Sequence, residues 1–285
     1  MRPFTLHEPT SAAEASALLL ERGEAARLYA GGTELLLAMK GGFLPCDHLV
    51  NVKTIPGMDA VALDGGALVI GAAATHTAIE SAPIVRERFP LVAQVERRVA
   101  NARVRNVGTL AGNLCFAEPH SDPAALLLLY DAEAVVEGAS GERRISIADL
   151  QIAPYETALE PGEVMTAVRI SPLPGGARAA YLKFGIHHRP TIGVGAMLRV
   201  AEGVVVEARL SLGSVPPVAR RLPEAEALLL GERAEHLNAE SSAVAEVADA
   251  AAAQADAVDD LHGSTEYKRH LVGVFVRRAI AQAAA

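Results

Sequence analysis

The 285-residue chain has no tryptophan, five tyrosines, six phenylalanines and two cysteines. So few aromatics leave little surface for stacking nucleic-acid bases. Two thiols cannot hold an iron–sulfur cluster, which commonly takes four. A disulfide between Cys46 and Cys115 is disfavoured in a reducing compartment, and both read as small buried hydrophobes. Positive charge is also short. Lys and Arg number 26 against 34 Asp and Glu, a net charge of −8, which argues against nucleic acid or an anionic membrane as partner. No apolar run approaches the ~20 residues of an integral membrane segment, and the N-terminus lacks the charged-then-apolar design of a signal peptide, so the expected location is cytoplasmic. No Cys-x-x-Cys pair, zinc spacing, Walker loop or Ser-His-Asp order occurs, so no metal ligand and no catalytic side chain is assigned.

What the chain does have is apolar content, 51%, and glycine, 24 residues. The stretch Gly108, Thr109, Leu110, Ala111, Gly112, Asn113 reads as a small-residue turn that lets backbone approach a ligand. A proline-bounded corner follows at 118–123, then an apolar helix over 124–130, with Ser121 or Asp122 as N-cap and Pro123 at its first position. A glycine turn feeding a helix start gathers N–H groups, which suits an anion such as a pyrophosphate. A second such turn, Ala30, Gly31, Gly32, Thr33, Glu34, lies between a short strand at 27–30 and a helix at 34–40. Two loops of this kind could clamp one diphosphate from two sides. Their glycines do not follow the G-x-G-x-x-G spacing of a Rossmann fingerprint.

Three domains are expected. Residues 1–57 read as helix 11–22, strand 27–30, helix 34–40 and strand 48–52, an alternation that implies parallel pairing. Residues 58–171 hold a hairpin over Asp64, Gly65 and Gly66, helices at 77–81 and 83–101, a hairpin at 134–146 and a strand at 164–170. A Pro/Gly cluster at 171–176 marks a boundary. Residues 172–285 hold strands 179–184, 193–200 and 204–212, antiparallel, then helices 223–230, 239–253 and 266–284. His187, His188 and Arg189 read as a surface turn before Pro190, because neighbours on a strand point to opposite faces and make poor paired ligands.

The 30–34 loop, the 108–113 loop with Asp122, and the C-terminal run from Glu266 and Tyr267 to Arg277 and Arg278 together resemble the FAD-binding medium subunit of molybdenum hydroxylases, the family of carbon monoxide dehydrogenase and xanthine dehydrogenase. The resemblance implies an α+β fold: a two-subdomain, PCMH-like FAD-binding fold plus a C-terminal antiparallel sheet with a helical bundle. It implies an oxidoreductase flavoprotein subunit in a dimer of heterotrimers. A molybdopterin large subunit oxidises substrate, a [2Fe–2S] small subunit relays electrons, and FAD on this chain hands them to an external acceptor, NAD or a quinone. The alternative is a non-catalytic scaffold or nucleotide-binding subunit of the same kind of complex.

By the same resemblance Leu28, Tyr29, Ala30, Gly31, Gly32, Thr33, Glu34 and Leu35 form a first FAD loop. Thr109, Leu110, Ala111, Gly112 and Asn113 form a second, both on the pyrophosphate. Asp122 contacts the flavin, Met165 supplies an apolar contact from the strand before the third domain, and Lys183 stands near the flavin. Ala111 stands where the family usually has glycine, and Glu118 and His120 replace its usual small residues. Without the family, Asp122 reads as a helix cap, Lys183 as a solvent-facing strand lysine and Met165 as core.

Overall fold

The computed structural model describes residues 2–185 and 189–285, so His187 and His188 lie outside the described residues. The chain forms two compact units: residues 1–117 with 132–171, and residues 118–131 with 172–285.

In the first unit β1 (Thr5–His7), α1 (Ala12–Arg22), β2 (Ala26–Tyr29), α2 (Leu35–Lys40) and β3 (His48–Asn51) build a three-stranded parallel sheet in the order β1-β3-β2. Ser11 caps α1 by accepting the Glu14 N–H, and Gly23, at φ 55°, ends it, a conformation suited to a residue without Cβ. The chain continues through β4 (Val61–Asp64), β5 (Ala67–Gly71), α3 (His76–Ser81), α4 (Pro83–Arg88), α5 (Pro90–Glu96), α6 (Ala102–Arg105) and α7 (Leu110–Phe116). It leaves for the other unit with α8 (Pro123–Leu127) and returns as β6 (Glu133–Gly138), β7 (Gly141–Ser146), α9 (Ile147–Leu150), β8 (Gln151–Ala153), β9 (Glu156–Thr157) and β10 (Val164–Ile170). The second sheet runs β4-β5-β10-β6-β7, antiparallel throughout, with a bulge in β10 between Met165 and Ala167. Helix α1 packs on both β2 and β6, tying the three-stranded and five-stranded sheets together, while β8 and β9 pair as a separate two-stranded sheet.

Two expectations fail here. The helix read over 83–101 is cut into α4 and α5, because Pro90 has no N–H to donate and pushes Phe89 out of the helical region, to φ −134° and ψ 53°. The stretch 108–113 is a turn only at its start. Thr109 adopts an extended conformation and its Oγ1 accepts the Gly112 N–H, so α7 begins inside the expected loop.

In the second unit β11 (Ala177–Phe184), β12 (Ile192–Ala201), β13 (Val204–Gly213) and β14 (Arg220–Arg221) form an antiparallel sheet in sequence order. Helices α10 (Pro223–Leu229), α11 (Ser242–Ala253) and α12 (Thr265–Ala284) follow, and α12 packs on β11, β12 and α11 over a core that includes Leu198, Leu210, Val247, Val272 and Val276. Helix α8 packs on β12 and β13. Glycines make that approach possible: a Cβ on Gly195 would lie 2.8 Å from Leu129 Cδ1, and one on Gly213 would lie 2.9 Å from Ala125 Cβ. Among the described residues no helix is long and apolar enough to cross a membrane.

Candidate functional site

The two small-residue loops of the first unit meet. A Cβ on Gly31 would lie 2.3 Å from the Val107 carbonyl oxygen and 2.6 Å from Gly108 Cα, so only glycine lets these backbones touch. Gly32 sits at φ 68°, where a Cβ would lie 2.5 Å from the Tyr29 ring. That ring carries the Lys53 ammonium 4.2 Å from its centroid. Leu28, Tyr29, Ala30, Gly31, Gly32, Thr33, Glu34 and Leu35 are all half-buried, at a strand-to-helix junction. Opposite them Thr109, Leu110 and Ala111 are buried, whereas Gly112 is exposed and Asn113 half-buried. Ala111 is 3% exposed, so its methyl is taken up in the interior. At a helix start the first amides have no carbonyl partner within the helix, and here Thr109 Oγ1 takes up that of Gly112.

Met165 is buried in β10, the strand on which α7 packs. Cys115, on α7, has its thiol pushed up to about 12 by burial, which keeps it protonated and inert. Cys46 donates to the His48 carbonyl at 3.0 Å, and both thiols are free.

In the second unit, Asp122 stands at the start of α8 without capping it. It is 3% exposed and accepts from Tyr181 Oη at 3.2 Å and from Lys183 Nζ at 2.5 Å. Tyr181 and Lys183 share one face of β11 because side chains alternate along a strand. Gly193, across from Lys183, makes room, since a Cβ there would collide with Tyr181 Oη. Lys183 is therefore ion-paired, with its side chain 16% exposed, rather than solvent-facing.

The same corner is clamped a second time. His120 lies between Glu118 (3.3 Å) and Asp260 (3.2 Å) and stacks on His262 with ring centroids 4.1 Å apart. Asp260 also accepts from the buried Lys268 at 2.6 Å, and Glu118 pairs with Arg189. Burial holds the His120 imidazole below its usual range, against the pull of Asp260.

Three contributors were not visible beforehand. Tyr181 could have been found from its period-two relation to Lys183. His76 and Glu96 form a buried pair at 2.5 Å in the first unit, with the imidazole beside Gly108. They lie twenty residues apart on two different helices, a spacing that carries no local signal.

Two family models match the chain. One, described as the FAD binding domain in molybdopterin dehydrogenase, matches residues 2–173; the other, the CO dehydrogenase flavoprotein C-terminal domain, matches residues 188–283. These define the class: an FAD-binding component of molybdopterin-dependent dehydrogenases, which are oxidoreductases. The carbon monoxide dehydrogenase medium chain of Hydrogenophaga pseudoflava is 34% identical over 279 residues, 97% of this chain and 96% of that one. The nicotine 6-hydroxylase medium subunit of Paenarthrobacter nicotinovorans is 28% identical over 94% of this chain and 93% of its own. The solved structure of Hydrogenophaga pseudoflava carbon monoxide dehydrogenase lacking the Mo-pyranopterin moiety matches with a TM-score of 0.93 at 35% identity, covering 99% of this chain and 97% of that chain. This chain belongs to the FAD-binding medium subunits of the molybdopterin hydroxylases, the carbon monoxide dehydrogenase and xanthine dehydrogenase family.

Proposed function

We propose that this chain is the electron-exit subunit of a molybdenum hydroxylase. In this reading it takes electrons from the [2Fe–2S] clusters of a small partner subunit and releases them to an external acceptor, NAD or a quinone. The molybdopterin large subunit oxidises the substrate, and the assembly is a dimer of such heterotrimers. Bound FAD supplies the redox chemistry, while the protein supplies position and electrostatics.

The observation that carries this reading is the backbone contact between the Gly31 and Gly108 loops inside the matched FAD-binding domain. The residues present fit a dinucleotide: glycines that let the two backbones meet and a half-buried run of small residues at a strand-to-helix junction suit a diphosphate. Gly31, Gly32 and Thr33 would bind it from one side, and Thr109, Leu110, Ala111, Gly112 and Asn113 from the other. Met165 would offer an apolar contact. Asp122 and Lys183 would contact the flavin as a mutually neutralised pair that Tyr181 orients.

The test is the absorption spectrum of the purified chain, with the FAD released on acid precipitation, for wild type and Gly31→Val. The expected result is an oxidised-flavin spectrum in wild type and loss of FAD in a variant that remains folded by circular dichroism. A wild type that is colourless and takes up no added FAD would sink the reading and favour the scaffold alternative.

A further inference from the structure

The His76–Glu96 pair belongs to neither FAD loop, and burial by itself gives it no purpose. Replacing a buried ion pair with apolar side chains is often neutral or stabilising. Its placement is informative. Glu96, the last residue of α5, is 1% exposed, and His76, the first residue of α3, is 2% exposed. Their Oε2 and Nδ1 lie 2.5 Å apart. An ionised Glu96 only accepts, so in that state Nδ1 is the donor and the ring is held at one angle.

The other edge of that ring faces the cofactor loop. His76 Cδ2 would be 3.3 Å from a Cβ on Gly108, while Thr33 Oγ1 of the first loop would be 3.5 Å from the same point. The His76 N–H donates to the Gly108 carbonyl at 3.0 Å, and Thr75 pairs with Thr109 in an antiparallel bridge. Gly108 thus abuts both the imidazole and the 31–33 loop. Tilting the ring would shift the backbone from which the Thr109 cap and the first amides of α7 project.

We propose that His76 and Glu96 are positioning residues for the second FAD loop: Glu96 fixes the imidazole, and the imidazole sets the Gly108–Thr109 backbone against the diphosphate. This rests on the FAD reading above.

The test uses the full chain freed of FAD and titrated with three probes: FAD, ADP (diphosphate without flavin) and riboflavin (flavin without diphosphate). Thermal unfolding of each apoprotein is followed in parallel. Glu96→Ala and His76→Leu are expected to weaken FAD and ADP about tenfold, in the range of lost orienting contacts, with riboflavin unchanged. Glu96→Gln keeps an acceptor for Nδ1–H and is expected to recover most of the affinity. Glu96→Asp keeps the charge but shortens the reach, and is expected to fall between, which serves if the larger truncations do not fold. Folded variants that bind FAD and ADP like wild type overturn the positioning role alone. Equal weakening of ADP and riboflavin also overturns it, because it reports general softening. A wild type that binds no FAD overturns the cofactor reading and this role with it.

Discussion

At the scale of single residues, Glu163 shows how one carboxylate ties its unit to pH. It accepts from Arg143 Nε at 2.6 Å and Nη2 at 2.8 Å, and from the Glu160 N–H at 2.7 Å. The Arg143 hydrogen bonds hold its carboxyl below the usual carboxylate range. A carboxyl depressed in the folded state stabilises fully above its unfolded pKa of about 4.3, and that contribution is lost as pH falls through the lower folded value. Glu163→Gln is therefore expected to lower Tm at pH 7 and to flatten the acid limb below about pH 4.5. Because the Arg143 side chain is 43% exposed, added salt should shrink the difference. Parallel wild-type and variant profiles in thermal unfolding between about pH 2.5 and 7 would rule this out.

At the scale of elements, capping decides more than composition. Gly112 lies inside α7 despite a helix cost of about 1 kcal/mol relative to alanine. The Thr109 hydroxyl, accepting the Gly112 N–H at 3.0 Å, offsets that cost. Thr109→Ala is expected to destabilise the chain by about 1 kcal/mol, and Thr109→Ser to restore most of it, both measured by urea unfolding. An alanine variant as stable as wild type would mean that packing of α7 on β10, not the cap, starts this helix. Elements with clear punctuation were legible: Ser11 and Gly23 bracket α1, and Asp64, Gly65 and Gly66 mark the β4–β5 hairpin. The α4–α5 break was missed: Pro90 marks it, but the helix-forming residues on either side read as one helix over 83–101.

At the scale of the whole molecule, residues 118–131 pack with a unit whose other residues begin at 172. Every residue from 121 to 130 is buried, including Leu126, Leu127 and Leu129. Each such side chain contributes about 1.5–3 kcal/mol on burial. A fragment of residues 172–285 is therefore expected to melt without cooperativity and to bind a hydrophobic dye. The same fragment with 118–131 fused through a flexible linker should recover a cooperative transition by circular dichroism. A fragment that melts cooperatively without the fusion would show that α8 is dispensable to the core.

The sequence by itself determined the family, the glycine turn at 31–32, the parallel pairing of the first sheet and the antiparallel strands of the last. These rest on local chemistry: glycine at close approaches, alternation along strands and motif order along the chain. Only the tertiary structure decided that Gly31 touches Gly108, that Asp122 pairs with Lys183 and accepts from Tyr181 rather than capping α8, and that His76 and Glu96 share a buried site. Each of these joins residues from different elements. Such contacts are set by how sheets and helices fill space, which neither periodicity nor spacing encodes.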